Sequence, residues 1–284
     1  MHGTLDALDR GLHALAGLSG VTTHAVHTPF GSIRAYEART GGPLPTLVLL
    51  HGLAAGTAAQ YVPFFLAARG VFRRVIAPDL PGHGGSPPLR VMNTPALYES
   101  VVAALDALVD EPPIVYGNSL GGAVAVAYGL SRHARGLFLT SPAGTPLPDD
   151  LLRSLLERML LRDDDAAAVL LAELQERPPV WARFIASDVR ARFSQPHIRA
   201  LVTSVTNEHG FTPAALRGLD APTLLVWGLA DRLFPPEMFA YWRAHLTATI
   251  ERPAGVGHVP HVEAPLWTWR RLVRFAEEVT GTRG

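Results

Sequence analysis

The chain has no cysteine among its 284 residues, which excludes thiol nucleophiles, disulfides and thiolate metal sites together. Lysine is missing as well. All 25 basic residues are arginine, so Schiff-base chemistry and a phosphate loop ending in Gly-Lys-Ser/Thr are ruled out. Net charge is also lacking, because 25 acidic side chains balance the arginines. Without a general field to gather phosphates or anionic lipid, nucleic acid is not an expected partner. No apolar run approaches the roughly 18 residues that suggest a bilayer span. In residues 1–20, Asp6, Asp9 and Arg10 interrupt the leucines, so a secretory leader is not read and a cytoplasmic location is expected.

What is present points to a folded body. With 48% apolar and 18% charged residues, the chain can bury a large core and is too apolar to be disordered. Its length suits one core domain with an insertion better than two equal domains. Leu5, Leu8, Leu12 and Leu15 recur at helical spacing. This amphipathic helix is expected to pack on the protein's own body, with membrane-surface docking as the alternative.

Short apolar runs without polar alternation occur at Thr46–Leu50, Arg74–Ala77, Pro113–Tyr116, Gly136–Leu139 and Thr223–Trp227, as suits strands buried on both faces. Helical stretches at Pro95–Val109 and Leu120–Ser131 separate some of them. Strands alternating with helices imply crossover units, hence an α/β fold with a mostly parallel sheet flanked by helices. From Thr145 to Leu216 the alternation stops and the sequence reads as helices. The expected organisation is a core of residues 1–144 and 217–284, with 145–216 as a helical cap, or lid, inserted between sheet strands.

The central motif is Gly117-Asn118-Ser119-Leu120-Gly121, between a strand and a helix. A serine on a sharp strand-to-helix turn needs small neighbours two positions before and after it, and Gly117 and Gly121 satisfy this. The small residues Gly121, Gly122, Ala123, Ala125 and Ala127 let the helix lie close to the sheet with its N-terminus toward Ser119, where its dipole favours negative charge. The alternative is a serine that merely caps the helix. His51-Gly52-Leu53 follows the first apolar run, where a turn can present the N–H of Leu53 to the same sheet end. With the N–H of Leu120 it would form an oxyanion hole. His51 itself reads as a buried structural imidazole.

Together with Asp79-Leu80-Pro81-Gly82-His83-Gly84, the turn Gly228 to Asp231, and Gly257-His258, these motifs resemble the α/β-hydrolase superfamily in identity and order. The resemblance runs from about Ser32 to the C-terminal helix and omits 145–216. It implies a serine esterase or lipase-like fold and activity, with Ser119 as nucleophile, Asp231 as orienting acid and His258 as base. The chain order serine, aspartate, histidine is the one this superfamily uses. No cofactor is implied. Asp149 and Asp150 are competing acids. His258, His261 and Glu263 could suggest a metal cluster, but they sit on no regular ligand scaffold and no metal is expected. Asp79 and His83 read as loop-shaping residues. Arg183, Arg190 and Arg192 read as solvated surface, with an anion-binding role as the alternative.

A serine at the elbow argues against the dehalogenases and epoxide hydrolases of this fold, which use aspartate. The apolar face of Leu151, Leu152, Leu155, Leu156, Met159 and Leu160 either receives an apolar acyl group or only packs the lid. Ser141-Pro142-Ala143-Gly144 is similar to that stretch in monoacylglycerol-lipase-like members. The expected activity is therefore ester cleavage, with a small-molecule ester as substrate. The runner-up is a carbon-carbon hydrolase of ring-cleavage products, since GNSLGG resembles that group's elbow and Arg190 lies near its carboxylate-binding arginine. Val259, where that group has tryptophan, departs from the pattern. A non-catalytic binding protein is the alternative from another class.

Overall fold

A computed structural model describes residues 3–18, 20–54, 58–177 and 182–282. The strands are β1 (Thr22–Thr28), β2 (Gly31–Arg39), β3 (Leu47–Leu50), β4 (Arg74–Pro78), β5 (Ile114–Asn118), β6 (Gly136–Thr140), β7 (Thr223–Val226) and β8 (Thr249–Glu251). They form one sheet in the order β1-β2-β4-β3-β5-β6-β7-β8. From β4 to β8 all neighbours pair in parallel, while β1 and β2 are antiparallel to each other and β2 is antiparallel to β4.

The five apolar runs expected as strands are β3 to β7, with ends shifted by one or two residues. The hairpin β1–β2 and the short β8 are additional. β1 is mostly exposed, and its Thr and His side chains lack the continuous apolar signal of a strand covered on both faces.

Side chains alternate across the sheet. In β3, Leu47 and Leu49 enter one apolar cluster and Val48 and Leu50 the other. Helices α1 (Thr4–Leu18), α2 (Val62–Ala67), α3 (Thr94–Leu108) and α4 (Leu120–Ser131) precede β6. Of these, α3 and α4 cover the Val48 face through residues such as Leu97, Val101 and Val124, while Phe64 and Phe65 of α2 cover the Leu49 face. In α1, Leu5 and Leu12 pack against the core and the Leu5 N–H donates to Asp188 Oδ2 at 2.9 Å, whereas Leu15 is 44% exposed. The side chain of Leu8 lies outside the described residues.

Between β6 and β7 run α5 (Asp149–Met159), α6 (Asp164–Leu174), α7 (Ala182–Phe193), α8 (Pro196–Thr203) and α9 (Pro213–Arg217), with no strand among the described residues. Most of their buried residues, including Leu155, Leu170, Val189 and Leu201, belong to the same apolar cluster as the sheet face. This segment therefore rests on the sheet's core instead of closing one of its own. After β7 come α10 (Pro236–His245), α11 (Pro260–Glu263) and α12 (Pro265–Thr280), and Leu272, Phe275 and Ala276 of α12 complete the Leu49 face.

The path leaves β3 for β4 on one side and returns to β5 on the other. Such a reversal opens a crevice at the carboxyl ends of the strands. The loops carrying His51, Ser119, Asp231 and His258 all follow strand carboxyl ends at this edge.

Candidate active site

Only Ser119 separates the end of β5 from the start of α4. Its φ of 54° and ψ of −117° lie where an L residue is strained, at a cost of about 1–3 kcal/mol. Backbone bonds hold it there. Its N–H donates to Thr140 O at 3.0 Å, and its carbonyl accepts from Ala123 at 3.1 Å and Ala143 at 3.0 Å. A Cβ on Gly117 would stand 2.4 Å from Gly121 O, and one on Gly121 would stand 2.3 Å from Leu50 O. The small neighbours of the turn are a steric requirement. The Ser119 hydroxyl makes no capping bond to α4.

His258 and Asp231 come together from the loops after β8 and β7. His258 Nδ1 lies 2.9 Å from Asp231 Oδ2, with 2% of the histidine side chain and none of the aspartate side chain exposed. Asp231 Oδ1 accepts from the N–H groups of Leu233 at 3.1 Å and Phe234 at 3.4 Å. Burial pushes the Asp231 carboxyl upward, but the charge and hydrogen bond of His258, with the Phe234 N–H, outweigh it and hold the group below its ordinary value. The Ser141 hydroxyl adds to this by proximity, although it lies off the geometry of a full hydrogen bond.

His258 is held through its backbone and against one face of its ring. The His258 N–H donates to Leu174 O at 2.7 Å, Asn118 Nδ2 donates to His258 O at 2.8 Å, and the Phe234 ring stands edge-on at 4.7 Å. Arg232 Nη2 donates to Ala172 O at 2.7 Å and Gln175 O at 2.9 Å. It thereby caps the end of α6 and ties the aspartate loop to the same helix that the histidine loop meets. His258 Nε2 is buried and has no hydrogen-bond partner among the described residues.

The loop after β3 is held by three side chains. His51 Nδ1 donates to Gly52 O at 2.8 Å and its Nε2 accepts from Leu80 N–H at 2.9 Å. His83 Nε2 accepts from Ala54 N–H at 2.8 Å and its Nδ1 donates to Pro81 O at 3.0 Å. Asp79 accepts from the N–H groups of Ala58 and Gly85, both at 2.8 Å. Burial lowers His51 to about 4 and His83 to about 3, so both stay neutral and structural near pH 7. They brace the turn in which Ala54 takes a φ of 54°, next to Leu53.

Two cavity lobes meet at Ser119. The first is lined by Leu120, Leu152, Leu155, Leu156, Leu201 and Met238 among others. The second is lined by His258, Asn118, Gln60, Gln175, Leu171 and Val262 among others. Leu53, Ser119 and Met159 border both. Leu120 opens α4, so its N–H lies in the turn whose amides have no intrahelical acceptor.

Other sequence candidates are engaged elsewhere. Asp149 accepts from Asn207 Nδ2 at 2.9 Å in the first turn of α5, and neither Asp149 nor Asp150 borders a lobe. His261 Nε2 meets Gln60 Oε1 at 2.8 Å and Nδ1 meets Tyr116 Oη at 3.0 Å. Glu263 accepts from the N–H groups of Gly257 at 2.7 Å and Glu176 at 2.8 Å. Arg190 pairs with Asp164 at 2.5 Å, Arg183 stacks on exposed Phe184, and among the described residues no arginine borders either lobe. Sequence reasoning passed over Gln60, Phe234, Arg232 and the anchoring role of Asn118. Of these only Asn118, inside the elbow motif, carried a local signal.

The model of the Alpha/beta hydrolase family matches residues 47–271. A pimeloyl-[acyl-carrier protein] methyl ester esterase of Neisseria meningitidis serogroup B / serotype 15 (strain H44/76) is 30% identical over 219 residues, covering 70% of this chain and 82% of that one. A 2-hydroxymuconate semialdehyde hydrolase of Pseudomonas sp. (strain CF600) is 31% identical over 228 residues, covering 72% and 76%. The crystal structure of a bacterial membrane phospholipase A shares the fold, with a TM-score of 0.80 at 24% identity over 97% of this chain and 92% of that one. With a family match over most of its length and a parallel sheet that delivers an elbow serine to its carboxyl edge, the chain belongs to the alpha/beta hydrolase family.

Proposed function

We propose that this hydrolase cleaves carboxylic esters with an apolar acyl group through an acyl-enzyme, using Ser119 as nucleophile, His258 as base and Asp231 as orienting acid. The observation that carries the reading is the buried Nε2 of His258, without a partner among the described residues, on a lobe it shares with Ser119, while Nδ1 is committed to Asp231. Serine is a poor nucleophile at neutral pH and needs a base within reach. With Nδ1–H directed at the carboxylate, Nε2 is an acceptor and takes the Ser119 proton as Oγ attacks the ester carbon. The N–H groups of Leu53 and Leu120 receive the developing oxyanion. His258 returns the proton to the leaving alcohol, and water then repeats the sequence on the acyl-enzyme.

The leaving alcohol must lie on the side of His258, because that group protonates it. This assigns the His258 lobe to the alcohol and the leucine-lined lobe to the acyl chain. Residues 145–216 then act as a lid whose α5 and α8 supply the acyl walls through Leu152, Leu155, Leu156 and Leu201. The esterase relative supports ester chemistry, and the 2-hydroxymuconate semialdehyde hydrolase relative keeps carbon-carbon cleavage as the second reading. That reading needs a cation for a substrate carboxylate. Arg190 is paired with Asp164 and borders neither lobe, which favours the ester. Among the described residues no helix is long and apolar enough to cross a membrane, and a cytoplasmic setting stays part of the proposal.

A fluorophosphonate probe together with p-nitrophenyl esters from acetate to palmitate tests the assignment. Ser119 is expected to be labelled, and Ser119→Ala to lose labelling and turnover with an unchanged circular dichroism spectrum. Labelling elsewhere, or an active Ser119→Ala variant, refutes the nucleophile. A folded protein that turns over no acyl substrate supports a binding role instead.

A further inference from the structure

A buried chain of hydrogen bonds runs beneath the site and ends at Gln60. Asn118 Nδ2 reaches two backbone carbonyls, His258 O at 2.8 Å and Thr140 O at 3.2 Å. Carbonyls only accept, so the amide nitrogen of Asn118 must face them. The same nitrogen lies 3.0 Å from Thr140 Oγ1 and donates to it. Thr140 Oγ1 has two acceptors for its own proton, Tyr116 Oη at 3.2 Å and the more distant Gly117 O at 3.4 Å. Passing it to Tyr116 frees the phenol proton for His261 Nδ1 at 3.0 Å. Burial lowers His261 to about 3, so the ring is neutral with a single N–H. With Nδ1 accepting, that N–H is on Nε2 and donates to Gln60 Oε1 at 2.8 Å.

With the Thr140 proton on the shorter bond to Tyr116, the proton order runs Asn118, Thr140, Tyr116, His261, Gln60, and each bond polarises the next. It holds the Gln60 oxygen toward His261 and leaves the amide nitrogen over. Gln60 Nε2 is buried with no partner among the described residues, on a residue that borders the His258 lobe. An unmade bond of this kind is unfavourable in the free protein and is recovered when a ligand supplies an acceptor.

We propose that Gln60 reads the alcohol part of the substrate as a preset hydrogen-bond donor, so that the protein favours esters whose alcohol carries a further acceptor oxygen. This rests on the ester reading and on the assignment of the His258 lobe to the leaving group. It adds a substrate class, polar ether or polyol alcohols over plain alkyl alcohols, and a specificity residue that touches no reacting atom.

The test compares two octanoate esters of equal size, 2-methoxyethyl and butyl, which differ by one oxygen for one methylene. The readout is the ratio of their kcat/KM values in the wild type against Gln60→Met. Intrinsic reactivity of the two alcohols cancels in that comparison. Loss of one neutral hydrogen bond is expected to lower the ratio roughly two- to tenfold. Gln60→Glu keeps an oxygen for His261 while giving up the amide donor, and lowers the ratio in the same direction at pH 8, so a failure of Gln60→Met to fold leaves the question answerable. An unmoved or raised ratio overturns the proposal. Wild-type turnover of both esters with an unmoved ratio removes this inference alone, whereas turnover of neither removes the ester reading and this inference with it.

Discussion

Replacing Asp231 with asparagine changes one atom of the carboxyl group, and the structure dictates where the new amide nitrogen goes. Oδ1 accepts from two backbone N–H groups, those of Leu233 and Phe234. An NH2 group cannot sit against two donors, so the asparagine keeps its oxygen there and turns its nitrogen toward His258 Nδ1, which lay 2.9 Å from Oδ2. Nδ1 must then accept, which places the imidazole proton on Nε2. That is the atom expected to take the proton of Ser119, and in this tautomer it has no lone pair to do so. The charge that stabilises the imidazolium is lost as well. Together these effects are expected to lower kcat by about 10⁴, or roughly 5–6 kcal/mol of transition-state stabilisation. The assay is kcat on a medium-chain p-nitrophenyl ester, with fluorophosphonate labelling of Ser119 slowed in parallel. A loss below about thirtyfold, or a larger loss in Asp149→Asn or Asp150→Asn, refutes the assignment of the acid.

Stability should depend on pH through the buried imidazoles. His51 falls from 6.5 to about 4, and His83 and His261 to about 3, so between these values and 6.5 the unfolded chain binds more protons. The stability is present in full above about pH 6.5 and is lost as pH falls, by about 2 kcal/mol for each imidazole at pH 5. Tm measured from pH 8 to 4.5 should therefore drop steeply below 6.5, and a flat profile contradicts neutral burial. Arg190→Gln is expected to change kcat/KM on esters less than twofold, because the side chain pairs with Asp164 away from both lobes. If the wild type cleaves a 2-hydroxy-6-oxo-dienoate faster than an ester, and Arg190→Gln selectively loses that activity, the carbon-carbon reading prevails.

Local sterics and periodicity made part of this protein legible in its sequence. Strands buried on both faces announce themselves as apolar runs, and β3 to β7 are all of this kind. The turn at Ser119 demands small residues at Gly117 and Gly121, and that demand is written within five positions. Asp231 and His258 were assigned through a resemblance, since nothing local to either residue says that loops 27 positions apart meet at 2.9 Å. The half-exposed hairpin β1–β2 and the three-residue β8 left no continuous apolar pattern to read. Only the tertiary structure decided that Leu152, Leu155 and Leu156 line a lobe beside Ser119, that Arg232 joins the aspartate loop to α6, and that Gln60 stands at the end of a hydrogen-bond chain from Asn118. A hydrogen bond between residues 201 positions apart, such as His261 to Gln60, depends on how the sheet stacks its loops, and no stretch of sequence encodes that relation by itself.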